Sequence, residues 1–180
     1  STGRADQYLE GTYAFPMRNQ HDQVIGVRLR NKDGHKWSIH GSSSGLFYGS
    51  IEPDRIIYVC EGPTDTAALI TLGQVAIGKP SCSSGDEMLY HLIKKIAPPM
   101  VVIVADVDHK TGKCNFCEND FCRNCRPGQY GAEQTAQWLR NLGMPIKIIE
   151  PPNAKDIRQW LRQGGTRNEL KSLVDAAQLW

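Results

Sequence analysis

The run Met100-Val-Val-Ile-Val-Ala105 constrains the fold more than any other stretch, because six successive apolar residues leave no face for water. A strand of this kind is buried on both sides, as in a parallel sheet covered by helices. The surrounding pattern agrees. Residues 56–60 and 75–77 are short β-branched runs, and residues 145–149 form another. Helical stretches separate them: 64–72 ending at Gly73, 85–96 stopped by Pro98-Pro99, and 131–142 closed by Gly143. Two further helices are expected at 156–162 and 167–176. Strand–helix alternation over about 100 residues predicts an α/β fold with a mostly parallel sheet flanked by helices.

The segment before residue 54 has a different character. Val24-Ile-Gly-Val-Arg-Leu-Arg30 and His35-Lys-Trp-Ser-Ile-His40 flank a turn containing Asp33-Gly34, which reads as a β-hairpin. Val27, Leu29, Trp37 and Ile39 fit its inward face, and Arg28, Arg30, Lys36 and His40 its outward one. That basic face is either a solvated sheet surface or one turned toward nucleic acid. The expected organisation is a small mixed lobe over 1–53, an α/β domain over 54–150, and a helical segment over 151–180.

Two of the predicted strands run directly into acids: Val59-Cys60-Glu61-Gly62-Pro63-Thr64-Asp65, and Val104-Ala105-Asp106-Val107-Asp108. Open parallel sheets gather ligands beyond the carboxyl ends of their strands. Asp106 and Asp108, two apart in extended chain, point the same way. Asp65, about a helical turn beyond Glu61, can reach the same space. Acids do cap strands without any ligand, but two such motifs on successive core strands point to a shared cation. An oxygen-only set selects Mg²⁺ or Mn²⁺, with waters or phosphate oxygens completing the coordination.

An apolar strand, Glu61-Gly62, Asp65 opening a helix, and a later apolar strand into Asp106-x-Asp108 together resemble the Toprim domain over about residues 54–150. Bacterial DnaG-type primases, type IA and type II topoisomerases and some small nucleases and recombination proteins share that domain. Gly26-Val-Arg-Leu-Arg, Asp33-Gly-His-Lys and Gly41 through Leu46-Phe47 resemble the segment that precedes Toprim in bacterial, phage and plasmid primases. The resemblance implies Mg²⁺ held by Glu61, Asp106 and Asp108, with Asp65 as a supporting ligand and Glu61 as a general acid/base. It implies template-directed ribonucleotidyl transfer on single-stranded DNA, with ribonucleotides as substrate and a replicative helicase as a candidate partner. The Lys155-Asp156 pair is similar to a primase feature and reads equally as a helix start.

The string Cys114-Asn-Phe-Cys117-Glu-Asn-Asp-Phe-Cys122-Arg-Asn-Cys125 places two Cys-x-x-Cys pairs four residues apart. Each pair presents two thiolates from one turn, so a tetrahedral Cys₄ zinc site is the natural reading, with an iron–sulfur cluster or redox thiols as alternatives. Related primases carry only a short glycine-containing turn at this point. Here the cysteines lie in an insertion over 109–130 beside the acidic motifs, where they could grip template, narrow access or stabilise the insertion.

Gly73-Gln-Val-Ala-Ile-Gly78-Lys79-Pro80 nearly spells a phosphate-binding loop, but Pro80 lacks the hydroxyl that would hold Mg²⁺ and Val75–Ile77 favours a strand. Lys79 with Ser81, Ser83 and Ser84 could still line a phosphate path, and a plain surface loop accounts for them as well. The six tyrosines offer no recognisable strand-passage nucleophile. With 21 Lys+Arg against 19 Asp+Glu, the net charge of +2 excludes a wholly charge-driven nucleic-acid wrapper. No run approaches the roughly 18 apolar residues of a membrane span, so a cytoplasmic location and no membrane partner are expected. The start at Ser1 without methionine suggests a piece of a longer phage, plasmid or mobile-element protein. Two other functions share the same residues: a Toprim nuclease, and a non-catalytic DNA-binding module.

Overall fold

The computed structural model describes residues 11–108 and 122–180. Cys114, Cys117 and most of the cysteine-bearing insertion expected over 109–130 lie outside the described residues. Within them the chain runs β1 (Tyr13–Arg18), β2 (Val24–Arg30), β3 (Lys36–Ser38), β4 (Phe47–Tyr48), β5 (Ile57–Glu61), α1 (Gly62–Thr71), β6 (Val75–Lys79) and α2 (Asp86–Ile96). It continues through β7 (Val101–Val104), α3 (Pro127–Leu139), β8 (Ile146–Ile149), α4 (Ile157–Arg162) and α5 (Arg167–Ala176).

The strands form two sheets. β1, β2 and β3 make an antiparallel meander, and the larger sheet has the order β4-β6-β5-β7-β8. Its four strands β6, β5, β7 and β8 are parallel, and β4 closes the β6 edge antiparallel. β7 is buried along its whole length, and period-two geometry divides its side chains between two cores. On one face Ile57, Val59, Ile77, Val101 and Ile103 pack with Leu89 and Ile93 of α2 and Ala136 and Leu139 of α3. On the other, Tyr58, Cys60, Val102 and Val104 pack with Leu69 of α1, Ile157 and Trp160 of α4, and Leu170 and Val174 of α5. The mostly parallel sheet flanked by helices is thus as expected. The C-terminal helices over 151–180 complete its second core.

Several local details differ from the expectation. β1 contains Pro16, which lacks the ladder N–H, and it survives because the strand lies at a sheet edge. Phe47–Tyr48, from the segment before residue 54, belongs to the large sheet. α3 begins at Pro127 rather than 131, since Pro at the first turn sacrifices no intrahelical bond, and a 3-10 turn over Arg140–Leu142 ends it. Ile39 lies beyond the short β3 and is 49% exposed, so the hairpin's inward face ends at Trp37. Among the described residues no helix is long and apolar enough to cross a membrane.

Candidate active site

Glu61 is the last residue of β5 and the N-cap of α1. The chain turns from strand to helix in one step because Gly62 adopts φ +76°, a left-handed value that side chains resist. That sharp turn brings the Gly62 carbonyl against β6, where a Cβ on Gly78 would stand 2.7 Å from it and collide with the Thr66 hydroxyl. Gly78 therefore serves the packing of α1 on the sheet, and Lys79 is a strand residue, not part of a phosphate loop. Asp65, in the first turn of α1, is buried.

Asp106 and Asp108 follow β7 in an extended loop pinned from three sides. The Ala105 N–H donates to the Ile149 carbonyl (2.9 Å), and the Val107 N–H donates to the Lys155 carbonyl (2.7 Å). The Asp108 N–H donates to Gln129 Oε1 (3.2 Å), while the Gly128 N–H at the start of α3 donates to Asp108 Oδ2 (2.7 Å). Gly128 must be glycine-sized, since a Cβ there would lie 2.5 Å from the Asp106 carbonyl oxygen.

A fifth acid joins them. Asp156 is buried at the N-cap of α4, accepting from the Gln159 N–H (2.7 Å) and from Arg158 Nη2 (2.8 Å). The Arg158 N–H donates to Asp65 Oδ1 (3.3 Å), and its Nη1 donates to the Thr64 hydroxyl (3.1 Å). Arg30 of β2 reaches the same hydroxyl (3.1 Å), joining the small sheet to α1.

Electrostatics reflects this crowding. Burial, then the charges of Asp65, Glu61, Asp156 and Asp108, push the Asp106 carboxyl from 3.8 up to about 8. Burial and Asp156 raise Asp65 to about 6, against the opposing effect of Arg158. Glu61 is raised by burial, and Lys36, Lys79 and an N–H from Cys82 hold it back. Lys36 lies directly across from Arg30 in the β2–β3 ladder, so a basic hairpin edge adjoins the acids.

Glu61, Asp65, Asp106 and Asp108 thus occupy one end of the sheet, as read from the sequence. As placed, no three Cys, His or acidic side chains among the described residues close tightly enough to enclose an ion. Lys79 sits nearby but is buried. Its ammonium contacts Asp86 (2.6 Å), the Thr135 hydroxyl (2.7 Å) and the Cys82 carbonyl (3.2 Å), the full donor capacity of a lysine. The Lys155 side chain is exposed, and its carbonyl is what braces the Asp106–Asp108 loop. Cys122 and Cys125 share one turn with their sulfurs 3.4 Å apart. Asp156 is read from the sequence only as half of the Lys155-Asp156 pair, and Arg158, Thr64, Gly128 and Gln129 are not singled out. Asp156 obeys the same strand-end rule as the others, delayed by the six residues after Ile149.

No family model matches the chain, and no curated relative does. Solved structures do. The zinc-binding and RNA polymerase domains of the Aquifex aeolicus primase superpose with a TM-score of 0.65 at 15% identity, covering 94% of this chain and 41% of that one. The E. coli primase catalytic core gives 0.64 at 19%, covering 94% and 53%. A DnaG primase catalytic domain bound to single-stranded DNA gives 0.63 at 19%, covering 94% and 54%. The chain therefore spans about half the length of these structures or less, and it has the fold of the DnaG-type primase catalytic core.

Proposed function

We propose that this chain is a primase-like nucleotidyltransferase that joins ribonucleotides on a single-stranded DNA template. The observation that carries this reading is the gathering of Glu61, Asp65, Asp106 and Asp108 beside the basic Arg30–Lys36 edge, within a primase-core fold. One structure of that fold is described as bound to single-stranded DNA.

The donor set fits a hard cation. All its ligands are oxygens, and Asp106, raised by burial and then by the four acids around it, marks the part of the site where carboxylates gather without a paired cation among the described residues. Glu61, Asp106 and Asp108 would hold Mg²⁺ or Mn²⁺, which supplies charge stabilisation for phosphoryl transfer. Asp65 supports them from α1. Raised by burial, the Glu61 carboxylate suits a general base that takes the proton of the attacking 3′-hydroxyl as that oxygen bonds the α-phosphorus and pyrophosphate leaves. Lys36 and Arg30 orient backbone phosphates across the site. Gly128 and Gln129 keep Asp108 aimed at it. Cys114, Cys117, Cys122 and Cys125 would bind Zn²⁺ as a closed structural site, whose turn at Cys122–Cys125 leads directly into α3.

The test is incubation with single-stranded DNA, labelled ribonucleotides and Mg²⁺ or Mn²⁺, with products resolved by length. Labelled oligomers, absent with the Asp106→Ala/Asp108→Ala protein, are expected. Synthesis by that variant would sink the assignment, and shortened DNA without synthesis would make the chain a nuclease.

A further inference from the structure

The five acids at the sheet end are compensated unequally. On the α4 side, both Asp156 oxygens are occupied, Oδ1 by the Gln159 N–H and Oδ2 by the Arg158 guanidinium at 2.8 Å. Asp65 beside it is likewise engaged at each oxygen, Oδ1 by the Arg158 N–H and Oδ2 by the Thr64 hydroxyl at 3.3 Å. Thr64 in turn accepts from two guanidiniums, Arg158 and Arg30, each at 3.1 Å. Two fixed positive charges thus converge on one hydroxyl next to Asp65. Asp156 is 6% exposed, so this pairing is shielded from solvent. On the other side, Glu61, Asp106 and Asp108 have no cation within ion-pair distance among the described residues. Asp108 is steered by a neutral donor, the Gly128 N–H.

We infer that Arg158 is a resident cation occupying the Asp65–Asp156 side of the acid cluster, so that this site takes a single Mg²⁺ on its Glu61–Asp106–Asp108 side. The inference rests on the metal-dependent reading above. A divalent ion seated between Asp65 and Asp156 would have to displace the Arg158 guanidinium from Asp156 and lie beside Arg30 as well. Both charges repel it, and neither can be shed, because arginine stays protonated at any working pH. Arg158 is a positioning residue in this scheme. It fixes metal number by keeping Asp65 and Asp156 from seating an ion of their own, without touching the reacting atoms.

The test is Mn²⁺ titration of the whole chain followed by electron paramagnetic resonance of the free ion, with one equivalent of Zn²⁺ supplied so that the thiolates are occupied. Wild type should bind a single Mn²⁺ per chain. Arg158→Gln should bind a second, because removing the guanidinium leaves Asp65 and Asp156 to compete for the ion. Arg158→Lys, which keeps the charge, should return to one. Circular dichroism of each variant separates loss of fold from a change in stoichiometry, and Arg158→Met, which also removes the charge and is read in the same way, keeps the test decisive if the glutamine variant does not fold. Two Mn²⁺ on wild type, a second Mn²⁺ on Arg158→Lys, or a single Mn²⁺ on folded Arg158→Gln would each overturn the inference while leaving the metal-dependent reading intact. No Mn²⁺ on wild type would overturn that reading, and this inference with it.

Discussion

Asp106 lies at the end of β7 with four other acids around it, and its carboxyl is displaced from 3.8 to about 8. In the unfolded chain the same group ionises near 3.8. Between those values the unfolded state has released a proton that the folded state retains, so stability falls as pH rises through this window. Asparagine copies the neutral, protonated form and has no proton to lose. Asp106→Asn should therefore melt above wild type at neutral pH in Mg²⁺-free buffer, and the two should converge toward pH 4. Each pKa unit carries about 1.4 kcal/mol, which from 3.8 to pH 7 sets an upper bound of about 4 kcal/mol. Asp106 is partly reached by water and its neighbours share the repulsion, which reduces this to about 2 kcal/mol. For a chain of this length that corresponds to roughly 4–8 °C in Tm.

The same substitution should abolish the Mg²⁺ response. An ion bound only by the folded state raises the wild-type Tm with its concentration, and Asp106→Asn should not follow. The assay is thermal melting from pH 5 to 8, with and without Mg²⁺, monitored by circular dichroism. An Asp106→Asn protein that melts below wild type at pH 8 without Mg²⁺ would refute the reasoning. So would a difference that does not grow between pH 5 and 8.

Three further outcomes follow from the same geometry. Gly128→Ala should destabilise by about 1–2 kcal/mol in denaturant melts, although alanine ordinarily favours a helix by about 1 kcal/mol, because its Cβ would press on the Asp106 backbone. Lys79→Met should cost about 2–3 kcal/mol in the same assay by leaving the largely buried Asp86 without its cation, and Lys79→Met/Asp86→Leu should recover much of it. Unchanged stability with lost nucleotide binding would instead make Lys79 a phosphate ligand. Cys125→Ser should lower the zinc content measured by atomic absorption and speed amide exchange at Gly128, since the Cys122–Cys125 turn feeds the helix start that holds Asp108.

The larger sheet was legible because its signal is local and redundant. Apolar runs such as Val101–Val104 carry no alternation, and Gly73, Gly143 and Pro98-Pro99 punctuate the helices between them. β1 and β4 were not legible. Pro16 argues against a strand unless its edge position is known, and Phe47–Tyr48 is too short to show a period. Both depend on pairings made by distant residues.

The site divides the same way. The gathering of Glu61, Asp65, Asp106 and Asp108 at one end of the sheet was legible because each lies at or within four residues of a strand's carboxyl end, where the fold itself dictates position. Their supporting residues were not, because most lie far away in sequence and each is identified only by what it touches. Arg158 is 93 residues from the Asp65 it serves, and Gly128 is 20 from Asp108. Lys79 is the instructive case. Beside acids and serines it reads as a phosphate ligand, yet the partner that decides its role is Thr135, 56 residues on, together with Asp86. A lysine on a core strand must be neutralised before the sheet can be buried, and Asp86 does so while the Cys82 carbonyl and the Thr135 hydroxyl take its remaining donors. What a charged residue near a site does is therefore set first by the cost of burying it, and only the charge left over, as at Glu61, Asp106 and Asp108, remains for chemistry.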